Sequence, residues 1–133
     1  MDILNVLEKA TQINSVSGSE NEIRKFISDN VKKYCDELSV DAMGNLIAHK
    51  KGSGKKIMFA AHMDEIGIIV TDIDDKGFVR FSSVGGLNLR NLVNLRVRFA
   101  NGVEGVIGAE EESFKDKPAI SKLYVDLGAA DKK

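Results

Sequence analysis

The chain has 133 residues and a formal net charge of −1, from 19 lysines and arginines against 20 aspartates and glutamates. A chain of this length fits one domain, or one domain and part of another. The balanced charge excludes the basic surface that nucleic-acid-binding proteins need, and we expect neither a nucleic-acid nor a membrane partner. Hydrophobic residues make up 43% of the sequence and charged residues 29%, which is typical of a chain that folds around a core.

The cysteine content and the first residues predict a cytoplasmic protein. The single cysteine, Cys35, excludes an internal disulfide framework and suits a reducing compartment. Residues 1–4 lack a basic segment followed by an apolar core, so we expect no signal peptide. No apolar run approaches the roughly 18 residues of a membrane span.

Helical periodicity governs the first third of the chain. Asp2 is a candidate N-cap for a first helix, which the run 16–19 interrupts. Ser19 stands three residues before Glu22, and this capping-box pattern predicts the start of a second helix. The second helix should be amphipathic and about 14 residues long. Its predicted buried stripe consists of Ile23, Phe26, Ile27, Val31 and Tyr34.

Strand patterns begin near Leu38. A short run that opens at Val40 turns at residues 44–45 and continues as residues 46–48. Residues 57–61 are continuously apolar, which suits a strand covered on both faces of an α/β sheet, and residues 67–70 form a similar run.

An all-β pattern follows after about residue 72, where we place a domain boundary. Apolar and polar residues alternate from Val93 to Phe99, which predicts a half-buried strand. The dipeptide at 101–102 is Asn-Gly, which predicts a tight hairpin turn. The strands expected in this half are residues 78–81, 93–99, 103–107 and 124–127.

The most informative polar residues follow the apolar run 57–61. In open α/β sheets ligands bind at the carboxyl ends of strands, where His62, Asp64 and Glu65 would lie. In extended backbone His62 and Asp64 point to one side and Glu65 to the other. One imidazole nitrogen can then bind a metal while the carboxylate holds the other nitrogen. On spacing alone a structural histidine is the better interpretation, because His-x-Asp often arises by chance.

A phosphate-binding loop is excluded at residues 52–56. The glycines and Lys55 resemble the end of that motif, but His49 stands where its first glycine is required. Lys56 stands where a serine or threonine is required, and an apolar run follows instead of a helix. We therefore interpret this segment as a solvated turn.

Four other features are better explained by a structural role than by a catalytic or binding role. Cys35 is expected to be a small core thiol, and His49 a surface histidine. The glycines at 85–86 suit a bend. The carboxylates at 110–112 could attract a cation, but a solvated loop is the better interpretation.

Five blocks of sequence, taken in order, resemble a known family. The set resembles the N-terminal part of the dinuclear-metal aminopeptidases, which include the glutamyl and the tetrahedral aminopeptidases. Members of this family often carry the label endoglucanase or cellulase. The blocks are residues 41–46 (DAMGNL), 60–67 (AAHMDEIG), 84–86 (VGG), 101–108 (NGVEGVIG) and 125–129 (VDLGA).

The resemblance implies a fold and a chemistry. It implies an α/β/α catalytic domain that holds two divalent metal ions, zinc or cobalt, and an inserted β domain that helps to build large homo-oligomers. The metals activate a water that attacks the first peptide bond of a peptide substrate. His62 matches the first metal ligand and Asp64 the acid that orients it. Residues 1–72 then belong to the α/β catalytic domain, and residues 73–133 to part of the inserted β-rich, oligomerisation-type domain.

The family's remaining metal ligands and its general-base glutamate have no counterpart in this sequence. We therefore expect a fragment of a metal-dependent aminopeptidase that is inactive alone. The alternative is a non-catalytic module for self-association or docking through the edge of the 93–107 hairpin. Glycoside hydrolysis is the weakest hypothesis, because the chain has no tryptophan and only two tyrosines, and the spacing of its carboxylates marks no catalytic pair.

Overall fold

A computed structural model of the chain describes residues 2–110 and 119–132. The chain divides into two compact units, Met1–Glu65 and Ile66–Lys133. The first combines helices with a small β-hairpin, and the second is built on one antiparallel sheet. This order confirms the predicted fold class, a mixed α/β part followed by an all-β part.

The first unit begins with the helix predicted after Asp2. The Asp2 carboxylate accepts hydrogen bonds from the N–H groups of Leu4 and Asn5, at 3.1 and 3.3 Å, and this confirms the N-cap. The elements of this unit are α1 (Ile3–Thr11), α2 (Asn21–Val31), a 3₁₀ turn (Lys32–Tyr34), β1 (Glu37–Val40) and β2 (Leu46–His49).

The capping box predicted at Ser19 is wrong. Helix α2 begins at Asn21, and its N-cap position is held by Glu20, whose side chain makes no capping bond. The Ser19 N–H instead donates to the Val16 carbonyl at 2.8 Å and closes a turn before the helix. Ser19 is therefore used by the turn and not by the helix.

The predicted buried stripe of α2 is only partly buried. Ile23 is buried, but Phe26, Ile27 and Val31 are half-buried, and Tyr34 is exposed. Cys35, expected in the core, is half-buried as well.

Strands β1 and β2 form an antiparallel hairpin in which Glu37 faces His49 and Val40 faces Leu46. Its turn is tied to α2, because Arg24 Nε donates to the Gly44 carbonyl at 2.8 Å.

The strand predicted at residues 57–61 does not form in the described structure. These residues adopt no helix, strand or turn. Met58 is 87% exposed and Phe59 is 93% exposed. A strand exists only when a neighbouring strand pairs with its backbone, and within residues 2–110 and 119–132 no strand does so here. The apolar pattern was therefore insufficient to predict this element.

The second unit contains a five-stranded antiparallel sheet in the order β3-β4-β7-β6-β5. Its described residues form two single-turn 3₁₀ helices, Leu89–Asn91 and Ile120–Lys122. Six buried residues form the core within the part of the unit that the structure describes: Val79, Phe81, Leu92, Ile107, Leu123 and Val125. The strands are β3 (Gly67–Ile73), β4 (Val79–Val84), β5 (Arg96–Arg98), β6 (Glu104–Ala109) and β7 (Leu123–Asp126).

The turns of this sheet follow the sequence prediction, but one strand is shorter. At the predicted Asn-Gly turn, Gly102 N–H donates to the Phe99 carbonyl at 2.9 Å, which confirms the hairpin. Strand β5 begins only at Arg96, because Asn94 has a positive φ of 69° that interrupts an extended strand. Gly85 has a φ of 80°, so the expected bend at residues 85–86 is confirmed there.

The unit boundary lies between Glu65 and Ile66, whereas the sequence pattern placed a boundary near residue 72. Strand β3 pairs with β4 from Gly67 to Ile73, so residues 67–72 belong with the β sheet. The assignment of the two parts to a catalytic and an inserted domain stays a prediction. No helix in the described ranges is long and apolar enough to cross a membrane.

Candidate metal-binding residues around His62

The segment that carries His62 and Asp64 is anchored at Glu65. Val16 and Glu65 form an isolated parallel β-bridge. Glu65 N–H donates to the Ser15 carbonyl at 2.9 Å, and Ser17 N–H donates to the Glu65 carbonyl at 3.3 Å. The Glu65 carboxylate also accepts from Ser15 N–H at 3.0 Å. Glu65 therefore joins two loops, and its side chain turns to Ser15.

The structure brings His62 and Asp64 together, as their spacing predicted. His62 Nδ1 lies 3.0 Å from the Asp64 carbonyl oxygen and 3.3 Å from Asp64 Oδ1. Both partners are oxygen acceptors, so Nδ1 carries the proton of the neutral ring and Nε2 keeps its lone pair. The His62 side chain is 86% exposed, and that of Asp64 is 38% exposed.

Ser17 completes this group of side chains. Its hydroxyl donates to Asp64 Oδ2 at 2.5 Å. This donation is the main cause that lowers the pKa of the Asp64 carboxyl below its ordinary value, while partial burial opposes it and the nearby His62 adds to it. Asp64 is therefore a carboxylate at neutral pH, which is the form that accepts a hydrogen bond from the imidazole N–H.

Sequence reasoning missed Ser17. The run 16–19 was interpreted only as the end of the first helix, and 47 positions separate Ser17 from Asp64. No local pattern reports a contact over that separation, because it depends on how the Val16 and Glu65 segments pair.

The donor set fits one position of a metal site. An imidazole nitrogen with a free lone pair is a common ligand of zinc and cobalt, and a carboxylate on the other ring nitrogen is its usual partner. Among residues 2–110 and 119–132, no group of three or more histidine, cysteine, aspartate or glutamate side chains could hold a metal ion. This part of the chain therefore offers one ligand and its orienting carboxylate.

The other histidine has the surface role predicted for it. His49 Nδ1 lies 3.2 Å from Glu37 Oε2, and the His49 side chain is 55% exposed. Lys51 Nζ contacts the other oxygen of Glu37 at 2.7 Å. Residues 52–56 are exposed and not helical, as expected of a solvated turn.

The carboxylate run is described only at its first member. Glu110 binds Arg80 Nη1 at 2.9 Å and Lys122 Nζ at 3.3 Å. It is thus paired with cations of the protein itself. Residues 111 and 112 lie outside the described residues.

Comparison with known proteins identifies the family. Residues 44–133 match the family described as M42 glutamyl aminopeptidase. A protein of Acetivibrio thermocellus with the provisional name of aminopeptidase is 54% identical over 130 residues, which cover 96% of this chain and 39% of that protein. The chain thus spans about 39% of the length of that relative.

Solved structures agree with this finding. An aminopeptidase from the archaeon Desulfurococcus kamchatkensis superimposes with a TM-score of 0.86 at 36% identity, covering 96% of this chain and 38% of that one. The TET1 peptidase of Pyrococcus horikoshii, which can assemble into a tetrahedron or a large octahedral shell, superimposes with a TM-score of 0.79 at 37% identity, covering 98% and 42%. The match over residues 44–133 and these structural likenesses show that the chain belongs to the M42 glutamyl aminopeptidase family.

Proposed function

We propose that this chain is the N-terminal part of a metal-dependent aminopeptidase, in which His62 binds one of two divalent metal ions and Asp64 orients it. The observation that carries the proposal is the contact of His62 Nδ1 with Asp64, at 3.0 Å to the carbonyl and 3.3 Å to the carboxylate. Membership of the M42 family supports peptide hydrolysis over the glycoside hydrolase alternative.

The two metals, zinc or cobalt, would supply an activated water and polarise the first peptide bond of a peptide substrate. The role of this chain's own residues is positional. Asp64 accepts a hydrogen bond from Nδ1–H, holds the ring in one tautomer and makes Nε2 a better electron donor. His62 presents Nε2 to solvent on an exposed side chain.

The 133-residue chain by itself is proposed to be inactive. A catalytic zinc needs about three protein ligands and a dinuclear site needs more, whereas the described residues supply a single histidine with its carboxylate. The remaining ligands of the site would come from sequence that matches the rest of the longer relatives.

A chimera tests the proposal. Residues 1–133 replace the matching part of the Desulfurococcus kamchatkensis aminopeptidase, whose structure superimposes on 96% of this chain. We expect the chimera to bind zinc or cobalt and to hydrolyse an aminoacyl nitroanilide. His62→Ala should lower the rate by about 100-fold or more, because even residues that only orient a ligand are worth about 10–100-fold.

His49→Ala is the matched control, since His49 is the only other histidine and pairs with Glu37 on the hairpin. It should leave activity and metal content unchanged. An active chimera that tolerates His62→Ala would refute the assignment of His62. Turnover by the 133-residue chain alone, abolished by His62→Ala, would refute the inactivity.

We also propose that the second unit takes part in homo-oligomers of the whole protein, located in the cytoplasm. Strands β3 and β5 are the two edges of the described sheet, and edge strands have backbone groups that another chain can pair with. The Pyrococcus horikoshii relative, described as assembling into shells, supports this proposal.

Light scattering during size-exclusion chromatography tests the assembly. The chimera should elute as an oligomer, and Arg96→Pro on β5 should lower its mass. The N–H of Arg96 lies on the side of β5 away from β6, where proline removes a donor that a second chain would use. A chimera that is monomeric at high concentration would argue against the proposal. Self-association of the 133-residue chain, in contrast, would support the alternative of a docking module.

A further inference from the structure

The hydroxyl of Ser17 begins a series of polar contacts that runs through the Asp64 carboxylate to the His62 ring. Ser17 Oγ donates to Asp64 Oδ2 at 2.5 Å. The other carboxylate oxygen, Oδ1, lies 3.3 Å from His62 Nδ1. The two oxygens of Asp64 are thus divided between the serine and the imidazole.

Ser17 is itself held by its backbone. Ser19 N–H donates to the Val16 carbonyl at 2.8 Å, which makes Ser17 the second residue of a tight turn. Gly18 has a φ of 90°, the conformation that a type II turn requires at its third residue. The Ser17 N–H donates to the Glu65 carbonyl at 3.3 Å, next to Asp64 in the chain. The hydroxyl is therefore delivered to the carboxylate by an anchored turn.

The carboxylate needs such a partner to keep one orientation. The terminal torsion of an aspartate is broad, so rotation about it is nearly free unless a hydrogen bond stops it. The Asp64 side chain is 38% exposed, and water competes for its oxygens. Rotation would remove Oδ1 from His62 Nδ1, and the Asp64 carbonyl at 3.0 Å would be the one remaining described acceptor for Nδ1–H. The preference of the ring for one tautomer would then be weaker.

We propose that Ser17 is a positioning residue that holds the Asp64 carboxylate, and through it keeps the proton of His62 on Nδ1 and the lone pair on Nε2. The effect on the tautomer depends only on the geometry of the described chain. The consequence for metal binding rests on the proposed function.

Nitrogen-15 NMR of the 133-residue chain tests the tautomer. The sequence contains two histidines, so His49 is an internal reference in every spectrum. In mildly alkaline buffer, we expect His62 of the wild type to show a protonated Nδ1. Ser17→Ala should shift its two nitrogen signals toward the average of a tautomer mixture, with His49 unchanged.

Three further variants separate positioning from a general loss of structure. Ser17→Thr keeps the hydroxyl and should restore the wild-type spectrum. Ser19→Ala removes a hydroxyl from the same turn but keeps the backbone bond to Val16, and should change nothing. If Ser17→Ala disturbs the backbone amide spectrum, Ser17→Cys gives the same test with a side chain of similar size that donates weakly. An unshifted His62 in both the Ala and the Cys variants would overturn the proposal.

Zinc affinity in the chimera tests the consequence. Ser17→Ala should weaken zinc binding by about 10–100-fold, the range for residues that orient a ligand, and Ser17→Thr should restore it. If His62→Ala abolishes binding while Ser17→Ala has no effect, the role of Ser17 in metal binding is refuted and that of His62 stands. If His62→Ala has no effect, the proposed function fails, whatever the NMR result.

Discussion

The two units of the chain differ in how much apolar surface they bury. Among the described residues of the second unit, six apolar side chains form one buried cluster, in which Val125 is completely buried. In the described part of the first unit Ile23 is the one buried hydrophobic residue, while Ile57, Met58 and Phe59 are all more than three-quarters exposed. The β unit thus buries the apolar side chains that its sequence pattern assigns to a core, whereas the first unit leaves many of them exposed.

This difference shows what a sheet needs in order to form. Each described strand of the β unit has a neighbouring strand on at least one side, so its backbone groups are paired there and its inward side chains meet. The apolar run 57–61 finds no such strand among the described residues. An exposed apolar segment of this kind is typical of an interaction surface.

The largest expected effect compares two isoleucines. Ile107→Ala, at a residue that is 1% exposed, should lower the free energy of unfolding by about 2–5 kcal/mol. Ile57→Ala, at a residue that is 79% exposed, should change it by less than about 0.5 kcal/mol. Urea unfolding of each variant measures both values. Equal losses would show that Ile57 is covered in solution and would remove the contrast between the units.

A second experiment compares two glycines. A Cβ on Gly105 would lie 2.5 Å from Val125 Cγ1 and 2.9 Å from the Asp126 carbonyl, so Gly105→Ala should destabilise the β unit by about 1–3 kcal/mol. Gly54 has nothing within 4 Å of such an atom, and Gly54→Ala should be neutral. Tyrosine fluorescence in a Tyr34→Phe background follows the β unit, because Tyr124 is then the only tyrosine. A neutral Gly105→Ala would mean that the sheet is less tightly packed than described.

The smallest effect concerns pH. Hydrogen bonds from Arg80 first and Lys122 second lower the pKa of the Glu110 carboxyl below its ordinary value of about 4.5. The ionised Glu110 carboxylate therefore stabilises the folded state. This contribution to the free energy of unfolding is complete above about pH 4.5 and is lost as the pH falls further. The urea concentration at which the β unit is half unfolded should decrease as the pH is lowered from about 6 to about 3. The decrease should be less steep in Glu110→Gln. An identical slope in the variant would assign the pH dependence to other groups.

Much of the fold follows from local patterns. The Asp2 cap, the Asn-Gly hairpin turn and the alternating strands of the β unit were predicted correctly, because each depends on residues close in sequence. Ser19 was predicted wrongly, since a capping box and a tight turn compete for the same residue and the pattern does not show which one forms.

The candidate site also has one contact that the sequence predicts and one that it does not. The pairing of His62 with Asp64 was predicted from a spacing of two residues in extended backbone. The contact of Ser17 with Asp64 was not predicted, because it joins residues that are 47 positions apart.

The sequence by itself therefore determined the family, the turns, most strands and the pair His62 and Asp64, since short-range geometry is encoded by neighbouring residues. The tertiary structure alone decided that residues 57–61 are exposed and that Ser17 binds Asp64. Both depend on which distant backbone segments find hydrogen-bonding partners, and neighbouring residues do not encode that choice.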